Sequence, residues 1–321
     1  MGSPEIIGFG AMNIDRLYLV QRILTDGEAP IKGFTLSPGG SAANTVYGLA
    51  RLGIATGFIG TVGRDDPGQM LLRDFESVGV DSSRIRVKPQ AETGSVLCLT
   101  DRLGRRALYV SPGANRLLTA QDIDLDYLNQ ARILHLSSFI DRKQLEIQQS
   151  VIGKLSPSVK ISLAPGQIYA AKGLLALAPM IKRAHILFLN RHELEQLTHE
   201  GFEKGVQRCL EQGCQMVAVT LGKGVIRQGK TMSCYLSDGE QECMIEDKSS
   251  GERRVIDTTG AGDAFAAGVL YGLLNEKGLR ECGLLGEIMA RFCIREIGAR
   301  AGLPSLGELA QRYQERVGRP M

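Results

Sequence analysis

Short apolar runs alternate along this chain with stretches of helical spacing. Ile6-Ile7-Gly8-Phe9-Gly10 opens with the look of a buried strand. Ser41 to Leu52 then places Ala42, Val46 and Leu49/Ala50 on one side, with Gly53 positioned to end the helix. Phe58-Ile59 is a brief apolar run. Asp66-Pro67 reads as an N-cap and a first-turn proline, opening a helix that stops near Gly79. Later runs at Ile133-Leu134-His135-Leu136, Ile161-Ser162-Leu163, Ile186-Leu187-Phe188-Leu189 and Met216-Val217-Ala218-Val219 are each followed by a longer stretch of helical character. Strand and helix in alternation predict an α/β fold whose parallel sheet is covered on both faces. Ligands on such sheets bind beyond the carboxyl ends of the strands.

One stretch breaks this rhythm. Ser95–Thr100 and Ala107–Val110 flank Asp101-Arg102-Leu103-Gly104, the pattern of a β-hairpin. Residues from about Asp15 to Ser37 also lack helical spacing. Together these segments, about 15–38 and 91–111, predict a small sheet projecting from the main one. Repeats, low-complexity tracts and long linkers are missing, so residues 1–321 read as one domain carrying that insertion.

Composition narrows the class only a little. Of 321 residues, 43% are hydrophobic and 23% charged, which leaves ample material for a core. The net charge of +3 is small and spread out, giving no electrostatic case for nucleic acid or a membrane surface as partner. No run approaches the length of a membrane span, and neither end reads as a leader, so a cytoplasmic location is expected. Cys98, Cys209, Cys214, Cys234, Cys243, Cys282 and Cys293 contain no C-x-x-C pair, and their odd count fits a disulfide framework poorly. They read mostly as small buried hydrophobes, with Cys209 and Cys214 on different faces of a helix. His135, His185, His192 and His199 lack zinc-type spacing.

The strongest chemical signal is Asp257-Thr258-Thr259-Gly260-Ala261-Gly262-Asp263, followed by the small and apolar Ala264-Phe265-Ala266-Ala267-Gly268. Gly260 and Gly262 let the backbone turn tightly and approach a ligand. The buried helix that follows would offer free N–H groups and a positive dipole end to a phosphate. Asp263 stands where an acceptor hydroxyl could meet that phosphate; the plainer alternative is that it only caps the helix. Two further segments add weight. Ser37-Pro38-Gly39-Gly40-Ser41-Ala42-Ala43-Asn44 sets paired glycines and an amide at another loop-to-helix junction. Asn190-Arg191-His192-Glu193 follows the strand ending at Leu189, so both polar groups fall at a strand's carboxyl end.

In this order and spacing the segments resemble the two signatures of the ribokinase, or PfkB, family of carbohydrate and nucleoside kinases. The resemblance runs from about Gly8 to Pro304 and includes Val62-Gly63-Arg64-Asp65-Asp66-Pro67-Gly68, Pro112-Gly113-Ala114-Asn115, Thr220-Leu221-Gly222 and Gly298-Ala299. It implies a ribokinase-like three-layer α/β/α sandwich, with a mostly parallel central sheet and a small β-sheet lid that often also pairs two subunits as a homodimer. The implied activity is ATP-dependent transfer of the γ-phosphoryl group to a hydroxyl of a small sugar, sugar alcohol or nucleoside.

By the same resemblance Asp263 deprotonates the acceptor, and the backbone of Gly260, Ala261 and Gly262 forms an anion hole. Asn13, Asp15, Gly39, Gly40 and Asn44 hold the substrate. Asn190, Thr220, Gly222, Gly224 and Gly262 lie on the nucleotide side. Asn190 and Glu193 organise Mg2+ through water, and Asp257 and Thr259 are candidates for a monovalent cation such as K+. Three departures stand out. Thr220-Leu221-Gly222-Lys223-Gly224 is a residue shorter than the common nucleotide loop; Ala164-Pro165-Gly166 replaces a common Asp-Pro-Gly; and Ser41 follows the glycine pair, where ribokinases usually carry lysine.

Phosphoryl transfer needs positioning and charge neutralisation more than covalent help, which this set of groups supplies. Two other readings compete. A dinucleotide-dependent oxidoreductase is suggested by Gly8-Phe9-Gly10, but position 13 is Asn13 where its fingerprint needs glycine. A kinase-like sugar sensor without catalysis is disfavoured because every expected catalytic position is filled.

Overall fold

Strand β1 (Ile6–Phe9) is buried at every position and lies between two other buried strands, pairing Ile6 with Thr56 on one side and with Ile133 on the other, both in parallel. The computed structural model from which this geometry comes describes residues 3–103, 105–248 and 255–321. In chain order the remaining strands are β2 (Asn13–Val20), β3 (Ile31–Gly39), β4 (Thr56–Gly63), β5 (Ile85–Lys88), β6 (Gly94–Thr100) and β7 (Arg106–Ser111). They continue with β8 (Ile133–Ser137), β9 (Lys160–Ala164), β10 (Ala184–Asn190), β11 (Val217–Arg227), β12 (Lys230–Ser237) and β13 (Glu242–Glu246).

Among the described residues these form a nine-stranded sheet, ordered β13-β12-β11-β10-β9-β8-β1-β4-β5, and a four-stranded one, ordered β3-β2-β6-β7. Side chains alternate faces along a strand, and the large sheet uses this to build two cores. Ile6, Phe58, Ile186, Phe188 and Ala218 face a layer containing helices Ser41–Arg51, Ala261–Leu274 and Leu279–Cys293. Their neighbours Ile7, Ile59, Leu187, Leu189 and Val217 face helices Arg142–Lys154, Gly173–Arg183, Arg191–Thr198 and Phe202–Glu211. The sandwich is therefore three-layered, and seven of its nine strands run parallel, from β11 to β5.

Several expectations need correction. The run at Met216–Val219 does not lead into a helix. Its strand continues to Arg227 and doubles back antiparallel through β12 and β13. A short apolar run cannot say which follows; the turn residues Gln228-Gly229, both at positive φ, decide it. The helix Asp66–Ser77 is capped by Asp65, which accepts the Gly68 N–H at 2.9 Å, and not by Asp66. Cys214 lies past the end of helix Phe202–Glu211, so it shares no helix with Cys209. Six of the cysteines are buried and Cys243 is half-buried.

The small sheet is built as the broken rhythm implied, with β2 joined antiparallel to β3 and parallel to β6, and β6 hairpinned to β7. Asp101 closes that hairpin by accepting the Leu103 and Arg105 N–H groups, each at 3.0 Å. Gly104, part of the expected turn, lies outside the described residues. One face of this sheet carries Asp15, Leu17, Val96, Cys98, Leu108 and Val110 over the carboxyl ends of the large sheet's strands.

Candidate active site

Two helices bring their N-termini together beneath the small sheet. Helix Ala261–Leu274 starts at Gly260, whose left-handed backbone (φ 76°) and contact with Ala299 exclude a side chain. Helix Ser41–Arg51 starts at Gly40, where φ is 101° and an added Cβ would strike the Ala11 carbonyl. Both helices are buried along their bodies, and their first turns border the cleft. Thr45 Oγ1 donates to the Asp263 carbonyl at 3.3 Å, tying the two together.

Asp263 does not cap its helix. Its Oδ1 accepts from Ser41 Oγ at 2.7 Å and its Oδ2 from Asn44 Nδ2 at 2.8 Å, both on the other helix. Burial pushes the carboxyl up to about 6, against the pull of these two donors and of Arg300. A carboxylate lifted this far is a better proton acceptor than one in water.

Asp15 is the second acid in the site. Burial raises it to about 7, opposed by Arg300 and assisted by Asp263 and Asp257. Gly39 leaves it room, since a Cβ there would collide with the Asp15 carboxylate. Asn13 accepts from Asn115 Nδ2 at 3.0 Å, and Asn115 also holds the Met12 N–H at 3.0 Å. A cavity of about 250 Å³ lies between these groups and the small sheet. Its floor includes Asn13, Asp15, Ser41, Asn44 and Asp263, while Leu108, Val110, Ile140 and Ile168 supply apolar walls.

The phosphate side is arranged differently from the first expectation in one respect. The Ala261 N–H reaches back to the Thr258 carbonyl at 3.3 Å, so it is not free for an anion. At Gly262 a Cβ would meet open space, and among the described residues no backbone carbonyl takes its N–H. Of the three N–H groups expected to form an anion hole, those of Gly260 and Gly262 have no such partner among the described residues. Asn190 and Thr220 are side by side in register at the ends of β10 and β11. The register then slips between Thr220 and Val225, where Gly222 (φ 60°) and Gly224 (φ 87°) bend the strand away. The shortened loop is thus a bulge in a strand.

Asn190 and Glu193 form a capping box at the start of helix Arg191–Thr198, with Glu193 N–H donating to Asn190 Oδ1 at 2.8 Å and Asn190 N–H to Glu193 Oε2 at 2.9 Å. Burial raises the Glu193 carboxyl, and the Asp263 charge raises it further.

Three residues were not assigned a role from the sequence. Ser41, which had been noted only as a departure, is a direct donor to Asp263. Arg300 donates through Nε to Asn44 Oδ1 at 2.9 Å and through Nη2 to the Gly39 carbonyl at 3.3 Å. Arg106 on β7 reaches across the cleft to Thr259 Oγ1 at 3.0 Å and lies 3.8 Å from Asp257. For Arg300 the signal in the sequence was the Gly298-Ala299 pair that precedes it.

The model of the pfkB family carbohydrate kinases matches residues 3–306. The chain belongs to that family. An uncharacterized sugar kinase of Archaeoglobus fulgidus is 38% identical over 257 residues, covering 80% of this chain and 98% of the relative. An ATP-dependent ribose-1-phosphate kinase of Halopiger xanaduensis is 30% identical over 319 residues, covering 97% and 99%. A putative ribokinase II from E. coli, solved with ATP and Mg2+, shares the fold at a TM-score of 0.82 and 20% identity, covering 97% of this chain and 99% of that one. This PfkB kinase is accordingly a phosphotransferase with an alcohol group as acceptor, of the sugar and nucleoside kinase type.

The family implies Mg2+, and the residues fit it in a particular way. Burial and the Asp263 charge both raise the cost of ionising Glu193, a cost that a divalent cation nearby would relieve. No group of three or more His, Cys, Asp or Glu among the described residues is placed to cage a metal. That suits an ion held by phosphates and water with one or two protein oxygens. Potassium fits less well. Asp257 already accepts from Thr259 N at 2.9 Å, Thr259 Oγ1 at 2.8 Å and Gly298 N at 3.0 Å, with the Arg106 charge beside it. No helix among the described residues is long and apolar enough to cross a membrane.

Proposed function

We propose that this kinase uses ATP with Mg2+ to phosphorylate a hydroxyl of a small sugar, sugar alcohol or nucleoside bound beneath the small sheet, with Asp263 as the base. The observation that carries the reading is the Asp263 carboxyl, held by Ser41 and Asn44 at the glycine-turned start of a buried helix and open to the cavity.

The acceptor's hydroxyl sits near Asp263, and its other hydroxyls donate to Asp15, whose carboxylate has no donor among the described residues. Asn13 offers a complementary amide. The acceptor oxygen bonds to the γ-phosphorus as the bond from that phosphorus to the bridging oxygen breaks. ADP leaves and the proton passes to Asp263. The Gly262 N–H and the helix dipole meet the charge on the transferred group. Bound magnesium supplies charge neutralisation on the phosphates, and Asn190 and Glu193 would hold it through water. Thr220, Gly222 and Gly224 flank the nucleotide. The small sheet acts as a lid that excludes water, with Arg106 as its contact with the segment before the anion hole.

Three finer features belong to the same reading. The lid pairs two copies of the chain, supported by the exposed Phe34, Leu36 and Tyr109 on its outer face. The working compartment is the cytoplasm, supported by seven free cysteines. No potassium is needed at Asp257 and Thr259, because Arg106 supplies the positive charge.

Incubation with ATP, Mg2+ and a pool of sugars, sugar alcohols and nucleosides tests the activity. A phosphorylated member of the pool, lost when Mg2+ is chelated, is the expected result. Ligand binding with no product would instead favour a sensor.

A further inference from the structure

Arg300 is a buried cation, only 4% exposed, and its surroundings are specific. Its guanidinium lies over the Tyr47 ring at 5.1 Å and the Phe75 ring at 5.2 Å. Nη1 is paired with Asp74, Nη2 donates to the Gly39 carbonyl, and Nε donates to Asn44 Oδ1. A buried, fully engaged arginine is costly to keep and is retained where its geometry or charge is used.

The geometry here has one consequence for the Asn44 amide. With Oδ1 fixed on the guanidinium, Nδ2 must point the other way, and it donates to Asp263 Oδ2 at 2.8 Å. A flipped amide would put its oxygen against the Asp263 carboxylate. We infer that Arg300 is a positioning residue for Asp263: it locks the Asn44 amide with its donor toward the base. The guanidinium charge acts in the same sense, favouring the ionised carboxylate. Asp74 in turn holds Arg300 and tempers that charge. The same guanidinium anchors Gly39, beside Asp15, so the substrate loop and the base are held by one group.

The charged and titratable groups around Asp263 are Arg300, which favours its ionisation, and Asp15, Glu193 and Cys293, whose own ionisation Asp263 opposes. Burial and the two hydrogen bonds act besides these. Removing Arg300 takes away the charge that favours the ionised form and leaves burial to push the carboxyl up.

The inference rests on Asp263 being the base, and its test is read without any acceptor. Carbon-13 NMR of the aspartate carboxyls, with the Asp263 signal assigned by its loss in Asp263→Asn, gives the titration of that group directly. Arg300→Met should move the Asp263 midpoint up by about one pH unit or more, the effect of losing a nearby opposite charge. Asp74→Asn should move it down, because Arg300 then acts with its charge less offset. Asp74 is partly exposed and its replacement amide still accepts from Arg300, so this variant decides the matter if Arg300→Met fails to fold. Arg300→Lys keeps the charge but has no Nε–H to hold the amide, so its midpoint should rise, though by less than in Arg300→Met, which loses both. With an acceptor in hand, kcat of that variant should fall roughly ten- to a hundredfold from the misplaced amide. A role in packing alone predicts lower melting temperatures with the Asp263 midpoint unmoved. An unmoved midpoint in Asp74→Asn and in any folded Arg300→Met overturns the inference, whether or not the acceptor is known.

Discussion

Asn44 Nδ2 donates to Asp263 Oδ2 at 2.8 Å, joining the first turns of two helices that lie 219 positions apart in the chain. That contact changes what a substitution at Asp263 does. In Asp263→Asn one side-chain oxygen is replaced by an NH2 group, which must face the Ser41 hydroxyl or the Asn44 amide, both of them donors. Ser41 can rotate its hydroxyl and accept; Asn44 cannot turn without leaving Arg300. Turnover should fall by about 10²–10⁴-fold as the base is lost. The melting temperature should change modestly, since the neutral amide also escapes the cost of burying a charge. Single-turnover and steady-state assays on this variant check the claim. Turnover within about threefold of wild type, well short of that loss, would sink the mechanism.

Glu193→Gln separates two roles of one residue. Glutamine at the third helical position still closes a capping box with Asn190, so the melting temperature should hold within about 0.5 kcal/mol of stability. The carboxylate charge toward the nucleotide is gone, so half-maximal activity should need several-fold more Mg2+. An unchanged magnesium titration would leave Glu193 as a helix cap only.

How far the sequence alone reached follows from the range of each signal. The glycine turns at Gly40 and Gly260 were legible because a positive φ before a helix nearly demands glycine, a purely local rule. Asp15, Gly40, Asn44 and Asp263 were named on resemblance and do meet at one cavity. What Asn44 does there was not legible. Its amide bonds to Arg300 and Asp263, partners 256 and 219 positions away that no local pattern announces. Arg300 was invisible for the same reason: Asp74, Tyr47 and Gly39, which define it, are assembled only by the fold. The turn of β11 into β12 was missed because four apolar residues look alike before a helix or a hairpin.

The pH dependence of stability should carry the mark of Asp15. Its folded midpoint, about 7, stands well above the ordinary aspartate value, because burial outweighs Arg300. The folded state therefore holds a proton that the unfolded chain has released, and stability falls as pH rises between about 4 and 7. Carboxyls held low elsewhere, such as Asp65 and Asp122, give the opposite slope at more acid pH. The difference between wild type and Asp15→Asn isolates the effect. In the ligand-free protein the variant should gain melting temperature relative to wild type as pH climbs from 5 to 8, while losing acceptor affinity. A constant difference across that range would show that Asp15 is not perturbed.

The outer face of the lid offers a test of self-association. Tyr18 and Phe34 stack across strands with centroids 4.7 Å apart, and Phe34 and Tyr109 are 50% and 62% exposed. Apolar area of this kind on a sheet with two open edges is a surface that a second copy would cover. Sedimentation of the wild type should give twice the chain mass. The double variant Phe34→Asp/Tyr109→Asp should sediment as a monomer with its thermal transition retained. A wild type that is monomeric at tens of micromolar removes the pairing from the proposal.

Arg106 governs the last prediction. It is borne by β7 of the lid, yet its guanidinium donates to Thr259 Oγ1 and lies 3.8 Å from the Asp257 carboxylate, whose oxygens already accept three other hydrogen bonds. Against the effect of burial, the Gly298 and Thr259 N–H groups and the Thr259 hydroxyl hold the Asp257 carboxyl below the ordinary range, and the Arg106 charge adds to them. A carboxylate so supplied has little left to offer a potassium ion. Exchanging K+ for Na+ should therefore change wild-type turnover by less than about twofold, under 0.5 kcal/mol by the usual conversion. In Arg106→Met the lid loses its hold on Thr259 and Asp257 loses its cation. A charge-assisted hydrogen bond contributes about 1.5–3 kcal/mol when well shielded. The partial exposure of Arg106 discounts that, so kcat/KM for the acceptor should fall by roughly tenfold or less. Part of that loss should return when K+ is supplied, since the ion then takes up the charge left at Asp257. Strong activation of the wild type by K+ would show that Arg106 does not replace the cation.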